Sequence, residues 1–344
     1  MRKRVPYKFY IFVVLTLSLS MAFYVFPEAL DITRYYEMAE DGVSQFSGVV
    51  EYAEYWFEMH LDFIYGSSLF LLLKMGLPLN IATIFYLSLY YICVFEILRR
   101  HFPNLNIAWY ILFYVAMYAP FIWVQSISRN LAAISFFYLA MLFLLDGKKV
   151  KFLFCLFLSI FTHISMVMYV PIIFVAYFLE KRDINEKIIG FSIVFTLILS
   201  FISPSQLLNL LSFLLEGSDM RYAASYSNIQ AQGALQDPNI GYGDKLPIVF
   251  CLFYAILLLF INKRKDLMYW MLYVLTLMLS FFVFSSLMFT NRVIMLMTLF
   301  VAYNAYNVMR YGTLRYRNII KISSLVGCLI VFLHFYSYRT SFAF

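Results

Sequence analysis

Charge is what this sequence has least of. Only 13% of its 344 residues are Asp, Glu, Lys or Arg, about half the share of a soluble domain. With 63% hydrophobic residues, that shortage excludes a large soluble core. Signature motifs are missing too. There is no GxGxxG, no P-loop and no HExxH, and His60, His101, His163 and His334 are too scattered to be a metal-ligand set. The four cysteines, Cys93, Cys155, Cys251 and Cys328, lie inside apolar runs without CxxC spacing. That excludes a disulfide framework and assigns them to packing. No internal repeat, heptad seam or Gly/Ser linker divides the chain, so residues 1–344 are expected to form a single integral membrane domain.

What is there is a series of apolar runs, at 9–26, 61–73, 79–98, 106–124, 130–146, 152–180, 188–203, 246–262, 267–289, 293–309 and 319–337. They predict an all-α polytopic membrane protein with about 10–11 transmembrane or half-spanning helices. Basic clusters at 2–8, 99–100, 148–151, 181–187, 263–265 and 310–321 mark cytoplasmic turns. They account for the net charge of +7 without nucleic-acid binding. The first run, after Met-Arg-Lys-Arg, has no small-x-small cleavage site and is expected to stay as a span. Segment 27–62 carries nine acids against one arginine, Arg34, so it belongs outside. Two large outer loops follow, 27–78 and 204–245.

Counting crossings leaves two conflicts. Residues 61–75 are too short to span, contain Gly66-Ser67-Ser68 and end near Lys74; a half-buried helix on the outer side resolves this. Residues 152–180 have basic flanks on both sides, so the chain should enter and return. At 1.5 Å per residue they reach about 44 Å, between one and two core thicknesses. Two short helices meeting near His163 satisfy the count, with Gly147–Lys151 and Lys181–Lys187 both inside. One long tilted helix is the alternative.

In so apolar a chain each isolated charge is expensive to place. Arg129 and His163 are therefore the first candidates for chemistry, against the plainer alternatives of a snorkelling arginine and a core histidine. Five of the seven basic residues assigned outside are arginine: Arg34, Arg129, Arg221, Arg292 and Arg339, beside Lys74 and Lys245. Guanidinium forks match phosphate oxygens, so several could converge on a pyrophosphate. They could equally pair with the acids of 27–62 or touch lipid head groups. Tyr35-Tyr36 and the aromatics of 52–57 suit either sugar stacking or the membrane interface.

In order, the chain shows Asp31-Ile-Thr-Arg34-Tyr35-Tyr36, then Gln125-x-x-x-Arg129 before an apolar helix, then Gly147-Lys-Lys. Phe161-Thr-His163-x-Ser165 before Pro171 follows, then a large polar loop and Asn291-Arg292. This order resembles the EpsG/Wzy group of polysaccharide polymerases, which join repeat units of O-antigen, capsule or exopolysaccharide. The resemblance covers most of 25–310 and is most specific from Arg129 to Ser165. It implies a GT-C-like, metal-independent membrane glycosyltransferase without cofactor. Its substrates would be undecaprenyl-pyrophosphate-linked glycan donor and acceptor, joined at the outer face of a bacterial inner membrane. A chain-length regulator and a flippase would work alongside, and nucleic acid would not. No loop is long enough for a soluble nucleotide-sugar domain, which fits a lipid-linked donor. Arg129, Arg292, Arg221 and Arg34, with Tyr35 and Gln125, would hold the pyrophosphate and substrate. His163 would be the base for the attacking hydroxyl, with Asp31 as the second choice.

Three other classes compete. A lipid-linked oligosaccharide flippase should show matched halves and ionisable groups along a midplane path, and neither is visible. An O-antigen ligase uses the same pyrophosphate chemistry with another acceptor. An acyltransferase should face acyl-CoA inside.

Overall fold

A computed structural model describes residues 15, 31–60, 62–102, 128–202, 242–283 and 287–341. Among these the chain is entirely helical, with twelve α-helices and no strand. Two helical stretches, Asn80–His101 and Thr290–Tyr311, are long and apolar enough to cross a membrane, and several shorter ones are strongly apolar. The contacts divide the chain into two compact units, residues 1–110 with 119–171, and residues 111–118 with 172–344.

The first unit begins with the acid-rich segment. Expected as an outer loop, it is instead two short helices, α1 Asp31–Gln45 and α2 Val49–His60, and α3 Ile64–Lys74 follows them. The reason lies in its aromatics. Tyr35 and Ala39 on α1, and Tyr52 and Trp56 on α2, are four apart and buried, while Arg34, Glu37, Glu40, Glu51 and Glu54 are exposed. Spacing of that kind gives each helix one apolar stripe. α3 buries Tyr65, Leu69 and Phe70 between the other two. Tyr52 stacks on Phe70 with ring centroids 4.7 Å apart, and Tyr35 meets Tyr65 edge-on at 5.6 Å. Burying such side chains stabilises by about 1.5–3 kcal/mol each. Gly66 makes the packing possible, because a Cβ there would run into the Trp56 ring. The expected half-buried helix at 61–75 is α3; its 11 residues cover about 16 Å, half a bilayer core.

Three longer helices complete this unit: α4 Asn80–His101, α5 Ser128–Leu145 and α6 Lys149–Thr162. α5 packs against both α4 and α6. Small residues let the backbones come close. Ala132, Ala133 and Ala140 are fully buried, Ser159 Oγ donates to the Ala133 carbonyl at 2.7 Å, and Ser135 Oγ donates to the Tyr86 carbonyl at 2.9 Å. Between α5 and α6 the chain turns at Gly147, φ +72°. Gly147 N–H donates to Leu144 O and Lys148 N–H to Phe143 O, the paired bonds of a left-handed helix stop that favours glycine.

After α6 the helix breaks at His163, where the sequence placed the meeting of two short helices. His163 is extended (φ −158°, ψ 114°), a 3-10 turn covers Ile164–Tyr169, and α7 runs Val170–Glu180. Thr162 Oγ1 bonds back to the Leu158 carbonyl at 2.6 Å, which weakens a helix end. Pro171 then falls in the first turn of α7, where its missing N–H costs least.

The second unit holds most of α7 and then α8 Glu186–Ile202, α9 Tyr242–Ile261, α10 Leu267–Phe282, α11 Leu287–Tyr311 and α12 Leu314–Ser341. α11 packs on α9, α10 and α12. Buried polar pairs fix its register: Asn262 Nδ2 donates to Asn304 Oδ1 at 2.6 Å, and Asn304 Nδ2 to the Met268 carbonyl at 3.1 Å. Asp266 caps α10 by accepting from Tyr269 N–H and also accepts from the Tyr303 hydroxyl at 3.1 Å. Cys93, Cys155 and Cys251 are buried and Cys328 is half-buried, in keeping with packing roles.

Candidate active site

Breaking a helix in an apolar setting leaves backbone groups that need partners. At the α6 break they come from the gap between α2 and α3. Phe63 N–H donates to the Phe161 carbonyl at 3.0 Å. The Asp62 carboxylate accepts from Ile164 N–H at 3.4 Å. So Asp62, fully buried, is plugged into the break beside His163.

The same carboxylate gathers the two residues singled out in the sequence. Asp62 Oδ1 lies 3.2 Å from Arg129 Nη1, and Oδ2 lies 3.4 Å from His163 Nδ1. The side chains of Arg129 and His163 are only 11% and 6% exposed. Arg129 sits in the first turn of α5, the positive end of the helix dipole, where a cation is disfavoured. Its position is therefore set by its neighbours and not by helix preference. Besides Asp62 these include the faces of Tyr35 and Trp56, with the guanidinium carbon 5.2 and 5.9 Å from the ring centroids. Arg34 lies against Tyr35 as well, 5.1 Å from its centroid, and Arg34 Nη2 donates to the Tyr35 hydroxyl at 3.3 Å.

Burial pushes the Asp62 carboxyl up to about 6, against the opposing pull of the Arg129 charge and the hydrogen bonds from Ile164 and Arg129. Burial wins because the contacts are long. At 3.2–3.4 Å they lie at or past the long end of the usual N–H···O range and compensate only part of the lost hydration. The carboxylate is held loosely between an acid–base group and a cation.

Four of the eight residues expected at the site meet here: Arg34, Tyr35, Arg129 and His163. The alternative that Arg129 pairs with an acid of 27–62 is what the structure shows, and the same acid is shared with His163. Asp31 is the first residue of α1. Arg292 lies near the start of α11, in the second unit. Gln125 and Arg221 fall outside the described residues. Asp62 was not anticipated, and Trp56 only as one of the aromatics of 52–57. Asp62 was one of nine acids in a segment assigned outside, and its only local signal is its place between two amphipathic stretches. Among the described residues no three His, Cys, Asp or Glu side chains group as a metal site. Beside the cluster, α2 and α3 form an apolar groove of about 810 Å³ lined by residues including Val49, Ala53, Phe57, Phe63 and Leu71.

An arginine on the first turn of α5, a histidine at the α6 break and a buried carboxylate from the link between α2 and α3 thus lie together in an apolar, helical chain. The chain belongs to the EpsG family, whose sequence model matches residues 7–344. That makes it a polysaccharide polymerase-type membrane protein, a glycosyltransferase-like class. No curated protein and no solved structure matches it.

Proposed function

We infer that this protein joins lipid-linked glycan repeat units, moving a growing chain from undecaprenyl pyrophosphate onto the terminal sugar hydroxyl of a fresh unit. The observation that carries this is the convergence of Arg129 and His163, from two helices, on one buried carboxylate from a third segment. The reaction needs those two capacities side by side. The bond from the donor's anomeric carbon to pyrophosphate oxygen breaks, and its electron pair leaves with the pyrophosphate. Arg129, with Arg34 behind the same tyrosine, supplies positive charge there. The acceptor hydroxyl oxygen bonds to the anomeric carbon, and its proton passes to His163. With Nδ1–H donated to Asp62, the basic nitrogen is Nε2. The groove between α2 and α3 is suited to isoprenoid units close to the pyrophosphate. Helices α1–α3 are poor in Lys and Arg, the bias of an outer segment, which supports a reaction at the outer face of the inner membrane.

Glycan length in cells lacking the protein tests this. Single capped units are expected. No surface units would indicate a flippase, and lipid-linked polymer that never reaches its final acceptor would indicate a ligase.

A further inference from the structure

The Asp62 carboxylate has two oxygens and two demanding partners. One oxygen faces Arg129, the other faces His163 and the Ile164 N–H. All three contacts are long, so no single partner holds it fully. Hydrogen bonds of catalytic groups are often long before substrate binds and tighten afterwards. Resting on the polymerase function inferred above, we propose that Asp62 is a positioning residue that couples capture of pyrophosphate at Arg129 to the readiness of His163. An incoming pyrophosphate competes for the Arg129 fork and draws it from Oδ1. The released carboxylate then closes on His163 Nδ1–H and fixes the tautomer with Nε2 free to accept a proton.

The physical reason is competition for a single anion. While Asp62 serves Arg129, its negative charge is shared and its hold on the imidazole is weak. Once a doubly anionic ligand occupies the guanidinium fork, charge-assisted bonding favours the new pair, and the buried carboxylate needs another donor. Nδ1 of His163 and the N–H of Ile164 are already adjacent. Among the described residues, the charged and titratable groups at this centre are Arg129 from α5, His163 at the α6 break, and Tyr35 and Arg34 from α1, the last two through Arg129 and its aromatic cradle. Coupling of this kind keeps the base poorly oriented until the leaving group is clamped.

The test uses the full chain in detergent micelles with nitrogen-labelled histidine. His163 is assigned by loss of its signal in His163→Gln. Inorganic pyrophosphate is titrated in, and binding is followed by calorimetry. In wild type the ligand should drive the His163 ring to the Nδ1–H tautomer. In Asp62→Asn it should bind within about tenfold of wild type but leave the ring a tautomer mixture. Arg129→Gln gives a reciprocal check that does not depend on Asp62→Asn folding: with the guanidinium gone, His163 should already show the Nδ1–H tautomer without ligand. Pyrophosphate bound through Arg129 with no tautomer change, or the same change in Asp62→Asn, would overturn the coupling and leave the polymerase function intact. Pyrophosphate affinity indifferent to Arg129→Gln would overturn the coupling together with the assignment of Arg129 to the pyrophosphate.

Discussion

α5 carries a cluster of opposite charges at each end, about 25 Å apart along its axis, and the two are built in contrary ways. At its C-terminal end Asp146 accepts from Arg100 Nη1 at 2.6 Å and from Lys148 Nζ at 2.9 Å, while Glu96 accepts from Arg99 and Arg100 at 2.7–2.8 Å. These side chains are partly exposed, Arg100 by 38%. Hydrogen bonds from Arg100 and Lys148 hold the Asp146 carboxyl below its ordinary range. At the N-terminal end Asp62 is sealed from solvent, its contacts with Arg129 and His163 are longer, and its carboxyl is pushed up to about 6. The exposed cluster is short-bonded and satisfied, in keeping with stapling an inner turn. The buried one is under-compensated. On the function proposed above, this is the end of α5 where stability would be given up for chemistry.

The largest effects should come from the buried end. His163→Gln keeps one donor and one acceptor of similar reach, so a structural histidine would tolerate it. We expect the variant to insert normally yet lose polymer formation by about 10² or more, the range of general-base assistance. Measured glycan chain length at matched membrane levels decides the matter, and near-normal length would move the base to Asp31. The same change at His60, His101 or His334 should leave chain length unaltered.

Next comes the quality of the cation. Arg129→Lys should fail nearly as badly as Arg129→Ala, with polymer reduced roughly 10²-fold, because a point charge replaces neither a fork nor a planar group lying over Tyr35 and Trp56. Arg100→Lys, at the exposed end, should give full-length polymer. If both lysine variants behave alike, Arg129 is simply a charge.

How much of this was open to the sequence depends on the range of the signal. The break at His163 was legible, because two basic flanks and an apolar run of awkward length constrained the path. Arg129 and His163 stood out because isolated polar groups in apolar runs are costly. The helical nature of 31–60 was missed: acid content pointed to a loop, while the four-residue spacing of Tyr35 with Ala39 and Tyr52 with Trp56 carried the fold. Asp62 was illegible for another reason. Its role comes from contacts 67 and 101 residues away in sequence, and its place between two amphipathic stretches names neither partner.

The two carboxylates should also respond to pH with opposite signs. Asp62 has its folded value, about 6, above the ordinary 3.8, so its contribution favours the fold below about 4 and is lost as pH rises through about 6. The full difference amounts to at most about 3 kcal/mol. Asp146 is shifted down, so its contribution is present above the ordinary carboxylate range and is lost as pH falls below it. Thermal midpoints in detergent should therefore fall between pH 5 and pH 7.5 in wild type, with a smaller fall in Asp62→Asn. An equal fall in both would show that burial of Asp62 does not govern this window.

The smallest effect belongs to the exposed cluster. Arg100 serves both Glu96 and Asp146, so its removal unties α4 from the turn after α5. Solvent screening and side-chain entropy limit what such pairs contribute, to about 0–1 kcal/mol each. A double-mutant cycle of Arg100→Ala and Asp146→Ala should give a coupling within that range, shrinking further in high salt as the screening length shortens. Polymer length should stay normal in all three variants. The coupling is read from thermal midpoints of purified protein, with Arg99→Ala as a control that leaves Asp146 paired. A coupling well above 1 kcal/mol, insensitive to salt, would mean that this end of α5 is desolvated in the membrane. The contrast between the two ends would then lie in bond length alone, and exposure could no longer explain why Asp146 is satisfied while Asp62 is not.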